Sequence, residues 1–190
     1  MTTPRQKTVT QLLIDAADSN SDVANELLPI VYDELRSLAS AYFRHERDSH
    51  TLQPTALVHE AFLRLVDQPN IKWKSRNQFF ALAAKVMRNI LVNHAVSKNR
   101  LKRGGGRKQV ALEAVDIAVG GSDVLDIIAL DHALTKLAEL DERKAKLVEL
   151  RFFGGLTSED AAEVLGISRA TAAEDWRLTR AWLSRELREN

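Results

Sequence analysis

The chain has 190 residues, 45% apolar and 28% charged, with a formal net charge of +1, which is ordinary for a soluble globular protein of one domain or two small ones. It holds no cysteine, so a disulfide framework and a thiolate metal site are excluded. No apolar run approaches the ~18–20 residues that cross a membrane, and the opening MTTPRQKTVTQ lacks the apolar core of a signal peptide, so a cytoplasmic protein with no membrane partner is expected.

In chain order almost everything reads as helix. Thr10–Asp18 is a short amphipathic start. Ser21–His45 carries Val23, Leu27, Ile30, Val31, Leu35, Leu38, Ala39 and Tyr42 at helical spacing, with Pro29 inside it expected to bend or break it. Asp48–Thr51 reads as a turn. Pro54 suits the first position of the next helix, which ends near Asp67 and has Leu57, Val58, Ala61, Phe62, Leu65 and Val66 on its apolar side. Lys72–Arg76 is a basic loop around Trp73. A long helix over Asn77–Arg103 follows, with Phe80, Ala83, Ala84, Met87, Ile90, Leu91 and His94 along one side. Gly104-Gly105-Gly106 ends it. The segment to Ser122 reads as a flexible linker, with only a weak alternating pattern over Gln109–Ala118. Two more helices are expected over Asp123–Glu139 and Asp141–Phe153.

The last part is the most sharply patterned. Ser158–Leu165 predicts a short helix capped by Thr157 or Ser158. Gly166 fits a C-cap of positive φ, Ser168 an N-cap, and a second helix starts at Arg169. Small Ala161 and Ala162 suit a close helix crossing, with Ile167 and Leu178 expected beneath it. Two helices joined by a three-residue turn with Gly form the helix-turn-helix pattern, whose second helix enters the major groove; an ordinary helical hairpin is the plainer alternative.

Charge divides the chain. From Gln68 to Leu112 there is no Asp or Glu, while 11 Lys and Arg fall there. At this chain's acidic frequency such a gap arises by chance in about one window in a thousand, so it marks a polyanion-facing segment. From Ser122 onward 10 Lys and Arg meet 14 Asp and Glu, a net −4. These opposite signs allow a closed form in which the acidic part lies on the basic surface. Trp73 within the basic loop either plugs the core or stacks on an unpaired base.

No catalytic site, metal site or cofactor is expected. His59-Glu60 opens like a zinc-protease motif, but Leu63 stands where the second His must be. The three glycines at 104–106 lack the spacing of a phosphate loop and follow no strand.

Two stretches carry a family likeness: Ala56-Leu57-Val58-His59-Glu60-Ala61-Phe62-Leu63-Arg64-Leu65, and Leu147–Leu183 with LRFFGGLTSEDAAEVLGISRATAAEDW. In this order and spacing the chain resembles the two-domain sigma factors of bacterial RNA polymerase, sigma-70 family, extracytoplasmic-function (ECF) group. The resemblance covers nearly the whole chain. It implies an all-α fold: a sigma region 2-like four-helix domain over 1–103, a flexible linker over 104–122, and a sigma region 4-like helix-turn-helix domain over 123–190. It further implies binding of the first domain to the β′ clamp helices of core RNA polymerase and to the −10 promoter element, and of the second to the β flap and the −35 element. The function implied is promoter recognition and transcription initiation.

Site residues follow by position. For core polymerase they are Gln53, Thr55, Leu57, His59, Glu60, Leu63 and Arg64. For the −10 element they are Lys74, Arg76, Lys85, Arg88, Asn89 and Asn93, with Trp73 and Asn77 near a flipped base. For the −35 element Arg169, Thr171, Ala172 and Asp175 reach base edges, and Arg177 and Arg180 reach phosphates. Trp176 is expected to pack inward or lie on the backbone.

The chain departs from the family in two places. Glu174-Asp175 puts carboxylates on the recognition helix, which implies weak −35 affinity without polymerase tethering. The core-binding helix of relatives usually begins with an acidic cluster that meets Arg on the clamp, whereas Gln53, Thr55 and Ala56 stand here. A phosphate on Thr55 would bring a charge of about −2 to a helix N-terminus and suit pairing with Arg. A Ser/Thr protein kinase acting at Thr55, with Thr51 as second choice, is therefore an expected regulator. The plain alternative is an ordinary N-terminal Thr, and an anti-sigma factor is another candidate partner. The competing function is a freestanding helix-turn-helix regulator with a helical sensing or dimerisation domain.

Overall fold

The computed structural model describes residues 22–42, 52–66, 75–101, 109–111 and 124–189. The expected Thr10–Asp18 helix, the Asp48–Thr51 turn, Trp73, Lys74 and most of the linker lie outside them. Among the described residues there are seven helices: α1 Asp22–Tyr42, α2 Pro54–Val66, α3 Arg76–Leu101, α4 Ile127–Leu140, α5 Glu142–Phe152, α6 Ser158–Leu165 and α7 Arg169–Glu189. The fold is all-α apart from one short antiparallel pair, β1 Gln109–Ala111 with β2 Val124–Asp126, in which Val110 faces Leu125.

The boundaries follow local chemistry. Helix α1 runs on through Pro29, where the expected break is absent; a proline removes one N–H donor, and the helix continues on both sides of it. Helix α2 begins at Pro54, whose missing N–H would be unsatisfied in the first turn anyway. Helix α4 starts at Ile127 rather than Asp123, because Val124–Asp126 pair with β1. Asp141 caps α5 by accepting from the Lys144 N–H at 3.1 Å.

Helix α2 packs on both α1 and α3, and α3 also packs on α4, α5 and α6. The expected halves therefore share one core. It runs from Val31, Leu35, Leu57, Ala61 and Met87 to Leu130, Leu134, Phe152, Phe153 and Leu183, all with 2% or less of their surface exposed. Each such large side chain contributes about 1.5–3 kcal/mol on removal from water. The junction is closely fitted. Tyr42 of α1 is fully buried, and its hydroxyl donates to the carbonyls of Phe152 at 3.0 Å and Phe153 at 2.8 Å. These are acceptors at the C-terminus of α5 that the helix itself leaves open. Burial pushes the Tyr42 phenol well above its ordinary pKa, so it stays a donor. At Gly154 a Cβ would lie 3.1 Å from the Ala84 Cβ and 3.2 Å from the Phe80 carbonyl oxygen of α3, so the backbone approaches α3 as only glycine allows.

Candidate functional site

The turn between α6 and α7 is built by its caps. The Thr157 hydroxyl accepts from the Asp160 N–H at 3.1 Å and bonds the Asp160 carboxylate at 2.8 Å. Gly166 sits at φ 64°, ψ 33°, and the Ile167 N–H returns to the Ala162 carbonyl at 3.0 Å. The Ser168 hydroxyl accepts from the Thr171 N–H at 3.0 Å and starts α7. Ala161 and Ala162 are buried where the helices cross. Two helices are thus joined by a short turn whose ends are fixed by these caps.

The faces of α7 differ from those the apolar pattern predicts. Its inward stripe is Ala172, Asp175, Trp176, Thr179 and Leu183. Asp175, 5% exposed, is held by Arg143 of α5, with its Oδ2 accepting from Nε at 2.9 Å. The Arg151 guanidinium stacks 3.9 Å from the centre of the Trp176 ring. Ala172 and Asp175 were expected at base edges, but both are turned into the protein, because α5 packs on that side. Leu178, expected beneath the crossing, is 45% exposed.

The outward face at the start of α7 is Arg169, Ala170, Ala173, Glu174 and Arg177. Thr171 is half-buried, its hydroxyl 2.8 Å from that of Ser168. Both exposed arginines already hold carboxylates: Arg169 pairs with Glu159 at 2.8 Å, and Arg177 holds Glu174 in a two-bond contact at 2.6 and 3.0 Å. The Arg177 bonds keep the Glu174 carboxyl below its usual pKa. Further along, Trp176, Arg177, Arg180, Ala181 and Ser184 line an open cavity of about 430 Å³. Ala170 and Ala173 share this exposed face by the phase of the helix alone, since alanine carries no chemical signal.

Helix α3 presents two polar faces. Lys85, Asn89 and Asn93 are exposed, and Ser97, which the sequence reading missed, extends them at the same four-residue step. On the other face Asn77, Ala84 and Arg88 look toward the second half of the chain. Arg88 is held by two acids: Nε donates to the Asp131 carboxylate at 2.9 Å, Nη2 lies 2.7 Å from it, and Nη1 donates to Glu149 at 3.0 Å. The Asn77 amide donates to Asp160 at 3.3 Å and Glu163 at 3.0 Å. Arg76 pairs with Glu34 of α1 and stacks on Phe80.

Helix α2 turns out Gln53, Ala56, His59, Leu63 and Arg64, with Thr55 and Glu60 half-buried. Leu63 is 64% exposed and Arg64 pairs with Glu60 at 2.6 Å. The His59 ring lies 5.6 Å from that of Tyr32. Leu57, expected at a partner contact, is fully buried and belongs to the core. No acid stands in the first turn of α2. Among the described residues no cluster of three or more His, Asp and Glu is placed to hold a metal, and no helix is long and apolar enough to cross a membrane.

Comparison with known proteins gives a match to the family described as ECF sigma factor, over residues 6–189. No match was found among curated proteins.

Proposed function

The chain belongs to the ECF sigma factor family, a sigma factor role in transcription initiation with core RNA polymerase and promoter DNA as partners, and on that premise we propose how its surfaces divide the work. Residues 1–103 act as the −10 and core-binding module, 104–122 as the linker, and 123–190 as the −35 module. The outward face of α2, centred on Leu63, His59 and Arg64, docks on the β′ clamp helices. The open stripe Lys85, Asn89, Asn93 and Ser97 of α3 meets the −10 element, joined by Arg88 and Asn77, with Trp73 and Lys74 in the loop before it. The outward face of α7, with Arg169, Arg177 and Arg180, meets −35 DNA beside the β flap. The observation that supports this division is that the α3 stripe, the outward face of α7 and the α2 surface around Leu63 are exposed on three different helices.

Regulation enters at Thr55. The first turn of α2 has no acid, and Thr55 sits there half-buried. A phosphate at that point meets the positive end of the helix dipole and gives the clamp arginines a dianionic partner. Unmodified protein then binds core polymerase weakly, and a Ser/Thr kinase switches it on. The test is affinity for core polymerase, measured side by side for wild type, Thr55→Glu and Thr55→Ala. Tighter binding by Thr55→Glu alone supports the switch. Equal binding by all three removes it and leaves a constitutively competent sigma factor.

A further inference from the structure

The phase of α7 puts a carboxylate, and not only arginines, on the face that the proposed −35 contact uses. Glu174 and Arg177 lie outward with Ala170 and Ala173, while Asp175, the next residue, is turned inward and held by Arg143. The two alanines carry nothing beyond Cβ, so the helix backbone can lie close to the floor of a major groove and its longer neighbours reach base edges. Glu174 is one of those neighbours, and its carboxylate is not loose. Arg177 holds both oxygens: Nη2 donates to Oε1 at 2.6 Å and Nε donates to Oε2 at 3.0 Å. The same bonds lower the carboxyl pKa, so at neutral pH the group is ionised and only accepts hydrogen bonds.

An anion that only accepts is repelled by DNA unless it meets a base donor. The major groove offers two, cytosine N4 and adenine N6. Adenine sets its N7 acceptor beside N6 and turns an anion away, whereas cytosine has only a C–H beside N4. Guanine and thymine present acceptors at the same edge. A carboxylate held in a fixed orientation therefore favours cytosine twice, by accepting from it and by repelling the alternatives.

We propose that Glu174 is a base-reading residue of α7 that selects cytosine within the −35 element, and that Arg177 is its positioning residue. The inference rests on the reading of α7 as the −35 surface. It gives a role in promoter choice to an exposed ion pair that adds little to stability.

The test uses holoenzyme assembled from the full chain and core polymerase. It is incubated with linear duplex DNA of random sequence, and the bound fraction is sequenced. Wild type should enrich an upstream element with one position at which cytosine exceeds every other base by about tenfold. Glu174→Gln should move that position alone to adenine, because an amide both donates and accepts and so pairs with N7 and N6. Glu174→Ala should level the position and leave the rest of the element intact. Arg177→Ala should keep cytosine first there, but by only about threefold, since the carboxylate is present and no longer held. Both residues are exposed, so a change confined to one base position is not a loss of fold. The same cytosine preference in wild type and Glu174→Gln overturns the proposal, as does an element in which no position responds to Glu174→Ala. Should wild type enrich no upstream element at all, the reading of α7 as a −35 surface falls, and the proposal falls with it.

Discussion

The two helices proposed to meet DNA mask arginines by opposite means. Helix α7 is masked from close by: Arg177 holds Glu174 three residues away, and Arg169 holds Glu159 on the adjoining helix. Helix α3 has no acid of its own, and its Arg88 borrows Asp131 and Glu149 from the other half of the chain. The first kind of masking travels with the helix wherever it goes. The second lasts only while the halves touch, so it can be released. A mask that is exposed and local is also worth little, whereas one that is shielded between helices is worth a good deal.

The largest test of that contrast is Arg88→Ala against Arg177→Ala. Removing Arg88 leaves the mostly buried Glu149 with the partly exposed Lys146 as its remaining counter-charge, and should cost about 2 kcal/mol of stability. In a chain of this length that lowers the melting temperature by about 4–8 °C. Arg177 has a largely exposed side chain, so its removal should stay within about 0.5 kcal/mol. Equal melting temperatures for the two variants would erase the distinction. Gly154→Ala comes next. The new Cβ falls 2.5 Å from the Leu150 carbonyl oxygen and 3.1 Å from the Ala84 Cβ, an overpacking of about 1–3 kcal/mol, visible as a lower urea midpoint.

Much of this was legible beforehand, and the exceptions share a cause. Gly166, Ser168 and Pro54 mark ends of helices because their requirements are local: a positive φ, a short side chain that caps, a missing N–H. The all-helical fold and the phase of α3 followed from apolar spacing in the same way. Helix α7 was misphased because its inward stripe is partly polar. Asp175 and Thr179 are buried while Leu178 is exposed, since Arg143 approaches from α5 and makes the aspartate the better inward residue. Nothing within α7 announces a partner 32 residues away. The pairing of Arg88 with Asp131 and Glu149, 43 and 61 residues on, was foreshadowed only as opposite net charges.

Smaller effects sharpen the picture at α7. Glu174→Gln frees Arg177, so the dependence of duplex DNA binding on salt should steepen by about one counterion, with thermal stability unchanged. An unaltered slope would mean that Arg177 does not face phosphate.

The smallest effect concerns the Asp141 cap of α5, the helix that supplies Glu149. The Lys144 ammonium, bonded to this carboxylate at 2.6 Å, is the chief reason its pKa lies below the usual value, and the Lys144 N–H adds to it. A folded-state pKa below the unfolded one means that protonation favours unfolding. The stabilisation is therefore complete above the ordinary carboxylate range and is lost as pH falls through that range to the lowered value. Asp141→Asn keeps an oxygen for the cap and removes the charge. It should cost only about 0.5 kcal/mol at neutral pH, since the pair is open to solvent. Urea midpoints of wild type and variant should converge as pH falls below the ordinary carboxylate range, where the wild-type carboxylate takes up its proton.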